Sequence, residues 1–282
     1  MKIVVTGAAG QLGYDVIKRL ELCGIQAVGM DLPQVDITDK SAVEAFILSE
    51  NPDGVIHCAA YTAVDNAETE KEICSAVNET GTRNVAEACE KCGSKLIYIS
   101  TDYVFSGKGE EAFETDSPKA PCNHYGASKL AGEEAALESC SKCFVVRISW
   151  VFGINGKNFV KTMLRLAETR DELTVVNDQV GSPTYTYDLA ILLCEMIKTE
   201  KYGVYHATNE GLCTWAEFAA EIMRLADKST KIIPVTSAEY KTAAVRPLNS
   251  RMSKKSLDEN GFCRLPTWQD ALARYVEALK DC

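Results

Sequence analysis

The sequence predicts an α/β protein built on an open, doubly wound parallel sheet, with a second and smaller C-terminal domain. Three observations carry this. Short apolar runs without alternation recur between helical stretches over the first half, as strands do when helices cover both faces of a parallel sheet. A glycine-rich segment lies directly between the first such run and the first helix. After about residue 150 this rhythm gives way to shorter elements and turns.

In order, residues 3–5 form a buried-strand run and residues 11–23 a helical pattern, with Gly24 suited to the position just past its end. Strands follow at 25–29 and 54–58, then at 95–100 and 143–148. Each of the last two comes after a long helical stretch, near 74–92 and 123–138. Repeated βα units of this length imply the doubly wound sheet. Beyond it, a helix near 158–169 leads to a strand at 173–176 and a turn-rich stretch at 178–183. Thr214-Trp215-Ala216-Glu217 has capping-box spacing and opens a helix to Leu225. A strand at 231–235 and a helix at 267–279 close the chain. The expected division is 1–150 and 151–282, with residues 183–207 able to return to the first unit.

With 282 residues, 46% of them hydrophobic, the chain can build a real core, which excludes general disorder. Forty acidic against 30 basic side chains, a formal charge of −10, argue against nucleic acid or a membrane surface as partner. The charge is uneven: residues 231–282 hold nine Lys/Arg and six Asp/Glu, net +3, so a small anion can bind there. The opening Met1–Gly7 is too short an apolar run for a signal peptide. No stretch approaches the roughly 20 apolar residues of a membrane span. A cytoplasmic location is therefore expected, with the twelve cysteines mostly reduced.

Thr6-Gly7-Ala8-Ala9-Gly10-Gln11-Leu12-Gly13 sits between a strand and a helix. Gly7, Gly10 and Gly13, with Gln11 and Leu12 at the helix start, suit a tight turn that brings backbone N–H groups against a pyrophosphate. Asp31 ends the second strand, 24 residues after the first glycine, where a carboxylate reaches a ribose hydroxyl. Its charge would repel the 2′-phosphate of NADPH and favour NADH; the plainer reading is a turn cap before Pro33. Asp36 and Ile37 could face the adenine, and Cys58, Ala59 and Ala60 let the backbone pass close to the cofactor. A Rossmann dinucleotide site follows from this context.

Tyr125 and Lys129 are four apart on a helical pattern and share a face, and Thr101 ends a strand. A neighbouring ammonium would lower the tyrosine pKa from near 10. The surrounding words are more specific: His57-Cys-Ala-Ala-Tyr-Thr-Ala-Val-Asp65, Val77-Asn78 with Gly81-Thr82, Ser100-Thr-Asp-Tyr-Val-Phe105, and Tyr125-Gly-Ala-Ser-Lys-Leu-Ala-Gly-Glu133. Arg147-Ile-Ser-Trp-Val-Phe-Gly153, Asp178-Gln-Val-Gly-Ser-Pro-Thr-Tyr185 and Arg246-Pro-Leu-Asn-Ser250 continue them.

With these words the chain resembles the extended short-chain dehydrogenase/reductases and, within them, the dTDP-4-dehydrorhamnose reductase family, from residue 1 to about 275. The resemblance implies NADH- or NADPH-dependent reduction of the C4 ketone of a nucleotide sugar, dTDP-4-dehydro-β-L-rhamnose. It implies that Thr101 binds the substrate oxygen, that Tyr125 protonates it, and that Lys129 holds the nicotinamide ribose and tunes Tyr125. Val64, Asp102, Tyr103, Phe105 and Trp150 would line the sugar pocket; core packing is the plain alternative for the two aromatics Phe105 and Trp150. Some members use Mg²⁺ at a dimer contact through an acidic residue after the glycine turn. Asp15 stands there, which leaves Mg²⁺ and the choice between monomer and homodimer open. Two other readings stay in view: a nucleotide-sugar epimerase or dehydratase of the same superfamily, and a non-catalytic NADP-binding regulatory subunit like the methionine adenosyltransferase beta subunit.

Arg246, in the net-positive tail, is expected to clamp the substrate diphosphate. Cys89-x-x-Cys92 and Cys140-x-x-Cys143 each precede a strand at one sheet edge. A zinc site there is geometrically conceivable, but the spacing is unusual and free thiols are the default.

Overall fold

The computed structural model describes residues 1–281. Its first half runs β1 (Lys2–Thr6), α1 (Gln11–Leu22), β2 (Gln26–Met30), α2 (Lys40–Glu50), β3 (Gly54–His57), α3 (Lys71–Ser75), α4 (Thr82–Cys92), β4 (Lys95–Thr101), α5 (His124–Ser139) and β5 (Cys143–Ile148). Then come β6 (Val151–Phe152), α6 (Phe159–Ala167), β7 (Glu172–Val176), β8 (Val180–Gly181), β9 (Thr184–Tyr185), α7 (Thr186–Met196) and β10 (Gly203–His206). The chain ends with β11 (Cys213–Thr214), α8 (Trp215–Leu225), β12 (Lys231–Val235), α9 (Lys255–Glu259) and α10 (Trp268–Ala278).

The main sheet has the order β10-β5-β4-β3-β1-β2, and every pairing in it is parallel. Alternate residues of β1 explain its two covered faces. Ile3 and Val5 join Leu12, Val16 and Leu20 of α1 and Leu189 and Leu193 of α7 in one core cluster. Val4 joins Val43 and Ile47 of α2 and Val85 of α4 in the other. A strand buried on both sides needs no polar alternate, which is why the strands read as continuous apolar runs. After β6 the chain returns to this sheet: α7 packs on α1, and β10 pairs with β5 from Gly203↔Phe144 to His206↔Arg147. A third cluster, around Phe152, Phe218, Trp268 and Tyr275, gathers α6, α8 and α10.

The strand order reverses at β1, with β2 on one side and β3 on the other. In such sheets ligands bind outside the carboxyl ends of the strands at that point. Gly7, Asp31, Cys58 and the end of β4 at Thr101 all lie there.

The helix expected near 74–92 is broken by a π-helical stretch at Ala76–Gly81. The extra residue per turn sends the Asn78 side chain across to α5, where it bonds Ser128 at 2.9 Å. Gly132 is required opposite: a Cβ there would stand 2.4 Å from the Asn78 carbonyl oxygen.

The eleven described cysteines are free. Strands β4 and β5 are neighbours, and Cys89, Cys140 and Cys143 share one core cluster. Among the described residues no group of three or more His, Cys, Asp or Glu is placed so as to hold a metal ion. Nor, among the described residues, is any helix long and apolar enough to cross a membrane.

Candidate active site

The glycine loop owes its shape to three close approaches. Gly7 has φ +62°, and a Cβ on it would lie 2.8 Å from Ala59 Cα and N. Gly7 N–H donates to Met30 O at 3.0 Å and Gly10 N–H to Gly7 O at 2.9 Å. A side chain on Gly13 would run into the Gly7 carbonyl, so α1 can press against the turn only with glycine there. No side chain caps α1, whose first amides, at Gln11, Leu12 and Gly13, are left for an anion.

Asp31 does more than end a strand. Its carboxylate accepts from Ala9 N–H and from Leu32 N–H, each at 2.9 Å, tying the loop tip to β2. Asp36 is exposed and accepts from Thr38 N–H at 2.9 Å and Thr38 Oγ1 at 2.8 Å, a local turn before α2. The Ile37 side chain is buried and packs against Gly81. Cys58, Ala59 and Ala60 pass beside Gly7, with Ala59 N–H donating to Thr6 Oγ1 at 3.0 Å.

Thr101 ends β4, while Tyr125 and Lys129 sit on the first turns of α5, which Asn123 caps by accepting from Gly126 N–H at 2.8 Å. Thr101 Oγ1 donates to Asp102 Oδ1 at 2.9 Å, and Asp102 also accepts from Ser250 Oγ. Lys129 Nζ donates to Ile99 O at 2.7 Å and lies 4.2 Å from the centre of the Tyr98 ring. Burial pulls the lysine down to about 7, opposed by Glu133 one turn on. The tyrosine behaves contrary to expectation: burial, then the Asp102 charge, push Tyr125 above its usual range, while its Thr101 hydrogen bond pulls the other way. With Lys129 Nζ directed to a backbone carbonyl, burial decides, and it favours the protonated phenol. That state suits a proton donor.

Burial also raises Asp102 from 3.8 to about 6, although its Ser250 and Thr101 hydrogen bonds lower it. The folded state then holds this proton more tightly than the unfolded chain. Stability therefore falls as pH rises from about 4 to about 6 and stays lower above that. Asp102→Asn should raise the melting temperature near pH 7.5, by a gain on the order of 2 kcal/mol, and leave it unchanged near pH 4. Thermal unfolding at the two pH values checks this; equal shifts at both would mean another group titrates.

A cleft of about 820 Å³ opens between the sheet ends and the second half, lined by Tyr103, Arg246, Leu248, Phe159, Met163 and Trp215 among others. Tyr103 meets Tyr125 edge to face at 5.4 Å, and burial pushes its phenol up to about 12. Arg246 reaches the cleft but is partly engaged, donating to Asp65 Oδ2 at 2.7 Å and to the Tyr103 hydroxyl at 3.3 Å. Val64 is half-buried just before Asp65. Of the two aromatics, Trp150 stands behind the cleft wall and Phe105 lies in the core. Trp150, at φ +50°, stacks on Trp215 at 3.9 Å, and it is Trp215 that lines the cleft. Phe105 has no exposed surface: it stacks on Phe113 at 4.4 Å beside Arg147, packed in a core cluster with Val104 and Met252.

Asp15 does not fit a metal at a subunit contact. It is 8% exposed, accepts from Thr186 Oγ1 inside the α1–α7 packing, and is raised by that burial. Asp65, Ser250 and Trp215 were missed as site residues; only the Asp65 and Ser250 ends of the quoted words pointed to them.

A glycine turn at the switch point of a doubly wound sheet, with Thr, Tyr and Lys converging from β4 and α5, marks the class of the short-chain dehydrogenase/reductases. Known proteins narrow the class. Residues 1–281 match the family described as RmlD substrate binding domain, and the chain belongs to that family. It is 39% identical over 276 residues to the spore coat polysaccharide biosynthesis protein SpsK of Bacillus subtilis, covering 98% of this chain and 97% of that one. To the dTDP-4-dehydrorhamnose reductase of Streptomyces griseus it is 39% identical over 284 residues, covering 98% and 93%. The crystal structure of dTDP-4-dehydrorhamnose reductase from Bacillus anthracis in complex with NADP superposes with a TM-score of 0.96 at 43% identity, covering 98% and 99%.

Proposed function

We propose that this protein reduces the C4 ketone of dTDP-4-dehydro-β-L-rhamnose to dTDP-β-L-rhamnose with NADPH or NADH, a step in making dTDP-rhamnose for cell-surface polysaccharide. The observation that carries the reading is the meeting of Thr101 at the end of β4 with Tyr125 and Lys129 on the first turns of α5, at the same sheet edge as the glycine turn. The glycine turn and uncapped start of α1 fit a dinucleotide diphosphate, and the reduced nicotinamide supplies a hydride when bound. Thr101 positions the ketone oxygen. Tyr125 gives that oxygen its proton, so ketone, hydride and proton together make the alcohol. Lys129 is drawn to the resulting phenolate and steadies it until solvent returns the proton. Arg246, freed in part from Asp65, holds the substrate diphosphate.

Tyr103 speaks against a dehydratase. Such enzymes follow the Thr-Asp pair with a glutamate that removes a proton next to the ketone, and a phenol pushed up to about 12 is too weak a base at neutral pH. Enzymatically made dTDP-4-dehydrorhamnose should therefore consume one NADPH or NADH per sugar, followed at 340 nm. Failure with both cofactors would sink the reductase in favour of a regulatory, cofactor-holding protein.

The cofactor should not be restricted to NADPH. Residues 31–39 carry Asp31, Asp36 and Asp39 and no basic side chain. Asp31→Ala should shift the kcat/KM ratio several-fold towards NADPH, since one partly screened charge is worth on the order of 1 kcal/mol. Steady-state kinetics with both cofactors measures it; an unmoved ratio would leave Asp31 as a loop tether only.

A further inference from the structure

Residues 153–158 lie across the glycine loop, and two asparagines there grip it. Asn155 Nδ2 donates to Ala9 O at 2.6 Å, at the loop tip. Asn158 Nδ2 shares its two hydrogens among Gln11 Oε1 at 2.9 Å, Gly153 O at 2.8 Å and the Tyr275 hydroxyl at 2.9 Å. The other end of the same amide caps α6, its Oδ1 accepting from Lys161 N–H at 3.0 Å. Helix α6 in turn presents Phe159 and Met163 to the large cleft. Gly153 admits nothing larger: a Cβ there would collide with Thr186 Oγ1 and lie 3.1 Å from Gln11 Cγ. The cover is thus fitted to the loop on one side and to the cleft wall on the other.

We infer that Asn158 is a positioning residue that couples the two ligand sites, so that a dinucleotide settling the glycine loop also fixes α6 for the nucleotide sugar. The inference rests on the function proposed above. One amide bridges the loop and the cap of α6, so a ligand that settles Gln11 also settles the start of α6, and the second ligand meets a wall already in place. Linkage requires the same factor in either order.

The test uses the full chain with NADP⁺ and dTDP as probes, titrated calorimetrically alone and each against a saturating amount of the other. Wild type should bind dTDP at least about fivefold more tightly with NADP⁺ present, and NADP⁺ more tightly by the same factor with dTDP present. Asn158→Ser keeps a competent helix cap but cannot reach Gln11. It should bring the factor below about two while each separate affinity stays within about threefold. Gln11→Ala cuts the same link from the other side, should lower the factor likewise, and serves if the serine variant melts early. A wild-type factor near one, or a full factor in a folded Asn158→Ser or Gln11→Ala protein, overturns the coupling. Absence of any dTDP or NADP⁺ binding to wild type would instead overturn the functional reading on which the coupling rests.

Discussion

Tyr125→Phe should lower kcat by roughly 10²–10⁴, the usual size of a general-acid contribution, with cofactor affinity retained. The substitution keeps the ring and its edge-to-face contact with Tyr103 at 5.4 Å, so the site should hold its shape while losing one proton. Because burial holds the phenol above its ordinary range, this proton is in place throughout neutral pH in the wild type. Steady-state rates and a fluorescence titration with NADPH separate the two effects. Loss of cofactor affinity matching the loss of rate would make Tyr125 a packing residue. With deuterated NADH, the label should appear at C4 of the product sugar. Its return to the cofactor after turnover would put the chain with the epimerases.

Arg147→Met should cost about 3–5 kcal/mol of stability, the penalty for leaving a buried carboxylate without its partner. The guanidinium is fully buried and donates to both Glu133 oxygens at 2.8 Å, and to Thr115 O at 2.8 Å. Glu133 is 2% exposed and lies one turn beyond Lys129 on α5, so the pair pins the helix that carries Tyr125 and Lys129 to β5. Adding Glu133→Leu to Arg147→Met should restore much of the loss, since no charge is then stranded. Arg83→Met, which breaks an exposed pair with Glu138, should cost under about 1 kcal/mol. Urea denaturation of the four proteins decides it. A small loss in Arg147→Met would mean that water reaches the pair.

The parts legible in the sequence were those made by neighbours along the chain. The glycine turn, the apolar runs of β1 to β5 and the capping box at Thr214 and Glu217 each declare themselves within a dozen residues. Helices α2 and α7 were not assigned. In α7, Leu189, Leu192, Leu193 and Met196 are all buried and blur the helical period. What stayed hidden was made by residues far apart. Asp65 meets Arg246 across 181 positions and Asn158 meets Gln11 across 147, and no local pattern shows that either residue is the other's partner. Phe105 misled for a related reason. Its neighbours in sequence face the site, but a fully buried ring goes where the core has room.

The return of β10 to the edge of the sheet has a consequence for synthesis. A nascent chain that has only reached residue 150 exposes β5 as an unpaired edge, with Arg147 lacking His206, which stands 3.3 Å from it in the finished molecule. Open apolar edges of that kind recruit other chains. The first 150 residues therefore do not form a portable module. A truncation there should aggregate more readily than one that runs on through His206 and keeps β5 paired on both sides.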